Sequence, residues 1–228
     1  MIDRRRVVAG LVLFGAVRPS VAAEDPSPER WARATIDVLW FRSKGIRVAR
    51  YSMKTDAMRP TVARSDEILA DRRPLPLAAL AGEIVVVEVG GISFIRRVFG
   101  LPGERIAMAE WRPVIAGRAI EWTEDGWSDA SPGEGARLRI FRETHPERPP
   151  HRVAVREGAS DASPSVPDFV VPDGHVWLLG DLRDAGADVG RSGLPVPTTA
   201  IRGRVIYRSN PSSGWLVPPE TVAGVEDE

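Results

Sequence analysis

Apolar and polar residues alternate in short runs along most of this chain, and turn-forming residues separate the runs. Residues 83–89 form the strongest run, because Ile84-Val85-Val86-Val87 is continuously β-branched. Further strands are predicted at residues 46–51, 67–70, 93–99, 106–109, 114–115, 176–179 and 203–207. Short strands spaced roughly ten residues apart predict a mainly β fold of antiparallel sheets or an open barrel.

Other segments depart from this strand pattern. Residues 29–40 place Trp31, Ile36, Leu39 and Trp40 on or near one helical face, which predicts a short amphipathic helix. Stretches rich in Gly, Ser, Asp and Pro predict loops at residues 125–135, 145–150 and 158–167.

The N-terminus has the features of a signal peptide. Arg4-Arg5-Arg6 precedes the apolar residues 7–17, and Val21-Ala22-Ala23 resembles a cleavage site. Eleven apolar residues are too few for a membrane span, which needs roughly 20. We therefore predict export, by the Sec or the twin-arginine route, to the periplasm or the periplasmic face of the inner membrane. An uncleaved short anchor is the alternative.

Composition narrows the class of protein. The 21 glycines and 20 prolines favour turn-rich β structure, and 31 basic against 31 acidic side chains argue against nucleic acid as a partner. The absence of cysteine excludes disulfides, thiol catalysis and cysteine-bound zinc. The three histidines lack metal-ligand spacing. We expect no metal and no cofactor.

The predicted elements divide the chain into five parts. After a signal peptide or anchor at residues 1–23 come a linker and short helix at 24–41. A β core is formed by 42–109 with 175–209, a smaller β domain is inserted at 110–174, and an irregular tail follows at 210–228.

Three segments stand out for their chemistry, although each alone fits a strand followed by a turn. The first is residues 55–61, Thr-Asp-Ala-Met-Arg-Pro-Thr. The second is Gly-Glu-Ile-Val-Val at 82–86, leading to Ile-Arg-Arg-Val-Phe-Gly-Leu-Pro-Gly-Glu at 95–104. The third is Gly-Asp-Leu-Arg-Asp at 180–184, with Asp188 beyond it.

Together and in this order, the segments resemble the type I signal peptidase family of membrane-associated serine endopeptidases. That family's pattern is Ser-Met-x-Pro-Thr, then Gly-Asp-Ile-Val and Lys-Arg-x-x-Gly-x-Pro-Gly-Asp, then Gly-Asp-Asn-Arg-Asp. The resemblance covers about residues 50–207. It implies antiparallel β sheets of the signal peptidase type, with a core domain and an inserted smaller domain. It also implies an extended peptide or preprotein as partner and association with a membrane surface.

The sequence departs from the family at the two residues that carry out the reaction. The family's serine attacks the scissile carbonyl and its lysine removes the serine proton. Here these positions are Ala57 and Arg96. A methyl group cannot attack, and an arginine keeps its proton. Thr55 occupies the position whose hydroxyl assists the family's oxyanion hole. The resemblance therefore implies a protein without an intact dyad.

Other motif positions are retained. Met58, Pro60, Thr61 and Ile95 match positions of the family's motif or peptide groove. Gly180, Asp181, Arg183, Asp184 and Asp188 match the segment that supports the catalytic lysine, whereas Leu182 replaces its asparagine. We predict that Arg96 or Arg97 forms an ion pair with Asp56, Asp181, Asp184 or Asp188.

Three functions follow from these residues. The first is an inactive signal peptidase-like protein that still binds extended peptides. The second is an active endopeptidase with another nucleophile: Ser52 beside Lys54, Thr55, or a Ser/His/Asp arrangement with His175 and Asp181. The third is an exported β protein with a structural or interaction role.

Overall fold

The structure is a computed structural model, and it describes residues 39–41, 43–109, 111–128, 136–159, 166–184, 195–208, 214–218 and 221–222. The predicted segments at residues 1–23 and 29–38 lie outside these residues. Residues 39–41 and 43, at the end of the predicted helix, are helical. Within the described part of the chain, no helix has the length and apolar character needed to cross a membrane.

The described strands form three antiparallel sheets, which confirms the predicted mainly β fold. The largest sheet has the order β1-β2-β14-β3-β4-β12-β13, with β15 beside β14. Its strands are β1 (Val48–Ser52), β2 (Glu67–Asp71), β3 (Ile84–Val89), β4 (Ile92–Gly100), β12 (His175–Leu179), β13 (Val196–Pro197), β14 (Ile201–Arg208) and β15 (Gly214–Trp215).

The centre of this sheet is buried on both faces, because β3 is apolar at consecutive positions. Ile84 and Val86 pack into one core cluster with Ala57, Met58 and Ile95. Val85 packs into another, on the opposite face of β3, because side chains alternate along a strand. We call these the first-face and second-face clusters. The continuous β-branched run that predicts β3 is thus explained by burial on both sides.

Two smaller sheets contain most of the predicted insertion. One has the order β11-β5-β6-β7 and the other β10-β9-β8. The strands are β5 (Arg105–Ala109), β6 (Arg112–Ile115), β7 (Arg118–Ala119), β8 (Glu121–Ser128), β9 (Leu138–His145), β10 (Arg148–Arg156) and β11 (Val166–Val170). β5 belongs to the predicted core block but pairs with β6 and β11, so a shared sheet links the two blocks.

All three predicted loops are wrong in part. Residues 125–128 lie in β8, residues 148–150 begin β10, and residues 166–167 begin β11. Polar side chains of β8 pair across this sheet: Arg152 Nε donates to Asp125 Oδ2 at 2.7 Å, and Arg139 Nη2 donates to Glu124 Oε2 at 2.8 Å. These pairings join distant parts of the sequence, which the local pattern of turn residues does not reveal.

The C-terminal segment contributes to the core, although the sequence predicts irregular structure there. Trp215 in β15 pairs with Tyr207 of β14, and Val217 and Val222 are buried in a cluster with Phe41.

Gly203 provides a test of how closely β14 and β2 approach. A Cβ atom at this position would lie 2.6 Å from the carbonyl oxygen of Asp71, which is fixed in β2. We expect Gly203→Ala to lower the free energy of unfolding by about 1 to 3 kcal/mol, as overpacking does. Gly214→Ala is the matched control, because a Cβ atom there meets nothing within 4 Å. Equal stability of the two variants in urea denaturation would contradict the close approach.

Candidate functional site

The three segments singled out in the sequence meet at Asp181, at the end of β12. Its carboxylate is fully buried and accepts a hydrogen bond from the Thr61 hydroxyl at 2.5 Å. It also accepts two from Arg97, from Nε at 2.8 Å and Nη2 at 2.6 Å. The predicted ion pair is therefore confirmed for Arg97, and it joins β4 to the third segment.

The electrostatics of this pair follow from its burial. Burial alone would raise the pKa of Asp181, but the charge and hydrogen bonds of Arg97, with smaller effects from His151 and Thr61, lower it. Burial would likewise lower the pKa of Arg97, yet Asp181 raises it. Both groups are thus held in their charged forms.

Ala57 lies in the turn region that precedes β2. Its methyl group is buried, and its carbonyl oxygen accepts a hydrogen bond from the Leu182 amide at 3.0 Å. Met58 is fully buried and Ile95 nearly so, both in the first-face cluster with Ala57. The first and third segments are thus joined through their backbones, with apolar side chains packed around position 57.

Arg96 is buried on β4, opposite Val85 of β3. Its Nη1 donates to the carbonyl oxygen of Ile95 at 2.6 Å, and its guanidinium lies 5.8 Å from the centre of the Phe94 ring. The register places Arg96 on the same face as Val85 and Phe94, whereas Ile95 and Arg97 lie on the face of Ala57.

A second buried network surrounds Glu143, on β9 of the insertion. Its carboxylate accepts a hydrogen bond from Arg183 Nη2 at 2.8 Å and one from the indole N–H of Trp122 at 2.7 Å. His151 Nε2 lies 3.2 Å from the same carboxylate. Burial would raise the pKa of Glu143, but Arg183, His151 and Trp122 outweigh it and lower the pKa to about 2.

The insertion also holds the third segment through its backbone. The Ala154 amide of β10 donates to the Asp181 carbonyl, and the Arg183 amide donates to the Ala154 carbonyl, both at 2.9 Å. Leu182 packs between these bonds against Leu138. The sequence places Arg183 in the supporting segment but does not identify Glu143 as its partner, because 40 residues separate the two.

The remaining predicted residues lie at the margins of this site. Thr55 is exposed, Pro60 is half-buried and Gly180 is buried. Asp56 pairs with Arg64 at 3.2 Å and Asp184 with Arg156 at 3.2 Å, whereas Asp181 is the partner of Arg97. Asp188 lies outside the described residues.

The candidate replacement nucleophiles differ in their surroundings. Lys54 Nζ donates to the Ser52 hydroxyl at 3.4 Å, but Lys54 is exposed and lacks the burial that a lysine base requires. His175 Nδ1 contacts the Asp173 carbonyl at 2.9 Å, whereas Asp181 is held by Arg97 and Thr61. The His175–Asp181 arrangement is therefore wrong.

Two strand edges border the first-face cluster. β1 pairs with β2 at the end of the large sheet, and no described strand lies on its other side. Residues 92–95 of β4 pair with β3, and within the described chain no strand pairs with their other side, because β12 joins β4 only from Arg97 onward. Such edges can hydrogen-bond an extended peptide. The described His, Asp and Glu residues form no cluster able to hold a metal ion.

Comparisons with known proteins match these motifs. The family model described as "Signal peptidase, peptidase S26" matches residues 31–209. The chain is 28% identical over 144 residues to signal peptidase I of Rickettsia conorii (strain ATCC VR-613 / Malish 7), covering 59% of this chain and 53% of that protein. The match to signal peptidase I of Rickettsia prowazekii (strain Madrid E) has the same identity, with 54% of that protein covered. The chain thus spans about half the length of these relatives.

Proposed function

Because this chain belongs to the signal peptidase family, peptidase S26, we propose that it is a catalytically inactive member that binds extended peptides of preproteins. Ala57 is the observation that carries the proposal. It occupies the position that corresponds to the family's serine, and its buried methyl group offers no atom that could attack a carbonyl. Arg96, at the position of the lysine, cannot accept a proton.

The proposed groove uses backbone groups rather than a nucleophile. An extended peptide would pair with residues 92–95 of β4 or with β1 and pack small side chains beside the first-face cluster. Thr55 is exposed in the same segment as Ala57 and would border the bound peptide. The resemblance further supports export, with this groove at the periplasmic face of a membrane.

The second candidate is an active endopeptidase that uses Ser52. The contact between Lys54 Nζ and the Ser52 hydroxyl favours Ser52 over Thr55 as the nucleophile. The exposure of Lys54 argues against this candidate, because a lysine base works when burial lowers its pKa. A third candidate, an exported structural protein, would bind no peptide at all.

We expect the purified chain to leave a preprotein intact after prolonged incubation, as measured by mass spectrometry, with an active signal peptidase I as positive control. The double variant Ala57→Ser with Arg96→Lys should show little or no cleavage. Leu182 replaces the family's supporting asparagine, and catalytic groups tolerate only about 0.5 Å of misplacement. Cleavage by the unaltered chain would refute inactivity, and its loss in Ser52→Ala would identify Ser52 as the nucleophile.

Peptide binding separates the inactive binder from the structural protein. We expect a fluorescent signal-sequence peptide to bind, and Thr55→Arg to weaken its binding by about tenfold through bulk and charge at the groove. Thr123→Arg is the matched control, because Thr123 is also exposed but lies on β8 of the insertion. Absence of binding, or equal binding by both variants, would contradict the proposed groove.

A further inference from the structure

A cavity with an excess of arginine lies on the second face of the large sheet. Its volume is about 450 Å³, within the range of roughly 300–1,000 Å³ that is usual for small-molecule sites. It lies beside the C-terminal end of β2 and the start of β14. Four arginines line it: Arg72, Arg73, Arg202 and Arg204. Apolar side chains, among them Leu75, Leu77 and Ile201, form another part of its wall.

Arg204 distinguishes this cavity from an ordinary basic surface. The residue is only 3% exposed, and its Nε and Nη2 atoms are buried without a hydrogen-bond partner. These are the two nitrogens with which Arg97 holds both oxygens of Asp181. A buried cation without such a partner is costly. Arg204 lines the cavity, and these two nitrogens form an unused bidentate donor at its wall.

The neighbouring acids do not fill this role. Asp71, opposite Arg204 on β2, is held by Arg73 through Nε at 3.1 Å and Nη2 at 2.8 Å. Burial raises the pKa of Glu83, and the positive charge of Arg204 offsets part of this rise. Glu83 nevertheless makes no hydrogen bond with Arg204 Nε or Nη2.

The arginines near the cavity mouth favour an anion with two negative charges. Arg202 lies 3.6 Å from Glu88, so its charge is partly compensated. Arg72 is exposed, and its side chain makes no ion pair or hydrogen bond within the described residues. Two cations beside an apolar wall suit a phosphate better than a single carboxylate, because a phosphate monoester carries up to two charges and offers several acceptor oxygens.

We propose that this cavity binds a phosphate monoester carried on an apolar group, with two phosphate oxygens on Arg204 Nε and Nη2. Arg72 and Arg202 attract the anion at the mouth, and the leucines contact the apolar group. The ligand comes either from a soluble phosphate ester or from the headgroup of an acidic phospholipid. Because Arg204 faces Val85 and the second-face cluster, this site is separate from the peptide groove proposed above.

Calorimetric titration of the full chain with phenyl phosphate, inorganic phosphate and phenol tests the proposal. We expect phenyl phosphate to bind most tightly, inorganic phosphate more weakly and phenol not at all. Arg204→Gln should weaken phenyl phosphate at least about tenfold, and Arg204→Lys should also weaken it because lysine lacks the two-pronged geometry. Arg118→Gln, on β7 of the insertion, should leave the affinity unchanged.

Sedimentation with phosphatidylcholine vesicles, with and without phosphatidic acid, distinguishes the two sources. Binding of phenyl phosphate that depends on Arg204 supports a soluble ligand, and binding only to the acidic vesicles, again dependent on Arg204, supports a lipid headgroup. If Arg204→Gln does not fold, Arg204→Lys and the double variant Arg72→Gln with Arg202→Gln provide the comparison. The proposal is overturned if neither probe binds, or if these folded variants bind as the unaltered chain does.

Discussion

Replacing Arg97 with methionine should lower the free energy of unfolding by about 3 to 5 kcal/mol, the cost of removing one partner from a buried ion pair. Asp181 is fully buried, and the variant leaves its charge with the Thr61 hydroxyl as its remaining side-chain donor. The carbonyl oxygen of Gly82 also loses its bond to Arg97 Nη1, which measures 2.7 Å. Because methionine occupies a similar volume, the loss of stability mainly reflects the removal of the positive charge.

Arg105→Met is the matched control for this experiment. Arg105 pairs with Asp168 at 2.6 Å, but the two side chains are 65% and 46% exposed, so their loss should cost at most about 1 kcal/mol. The double variant Arg97→Met with Asp181→Leu should recover much of the stability, since no uncompensated charge remains. A loss below about 1 kcal/mol for Arg97→Met in urea denaturation would show that Asp181 is stable without its arginine.

The Arg97–Asp181 pair also explains why part of the site is predictable from sequence. A guanidinium that cannot lose its proton is costly to bury without a carboxylate, and the order of the motifs predicts four candidate carboxylates nearby. The sequence does not distinguish Arg96 from Arg97 as the partner. Strand alternation does so in the structure, because it turns Arg97 to the face of Asp181 and Arg96 to the opposite face.

The central strands are predictable for a different reason. β3 and β12 are apolar over consecutive residues and buried on both faces, so their own sequence is sufficient. β8 and β9 carry charged residues on exposed positions, and their stability depends on partners across the sheet such as Glu124 with Arg139. The family resemblance that these motifs predict is confirmed, whereas the buried partners of Arg183 appear only once the chain is folded.

The Glu143 network has a consequence for stability in acid. The pKa of Glu143 falls from its usual 4.5 to about 2 on folding, so its ionised form stabilises the folded state at any pH above 4.5. That contribution, about 3 kcal/mol, should be lost progressively as the pH falls from 4.5 towards 2. Asp181, whose pKa is also lowered, adds a change of the same sign.

We expect Glu143→Gln to be less stable than the unaltered chain at neutral pH and to lose less stability between pH 4.5 and 2, as measured by urea denaturation across this range. Glutamine keeps the shape of the side chain but has no charge for Arg183 to pair with. Glu124→Gln is the control, because Arg139 lowers the pKa of Glu124 at a site where water screens the exposed pair. If the free energy of unfolding falls as steeply between pH 4.5 and 2 in Glu143→Gln as in the unaltered chain, other carboxylates rather than Glu143 determine the unfolding in acid.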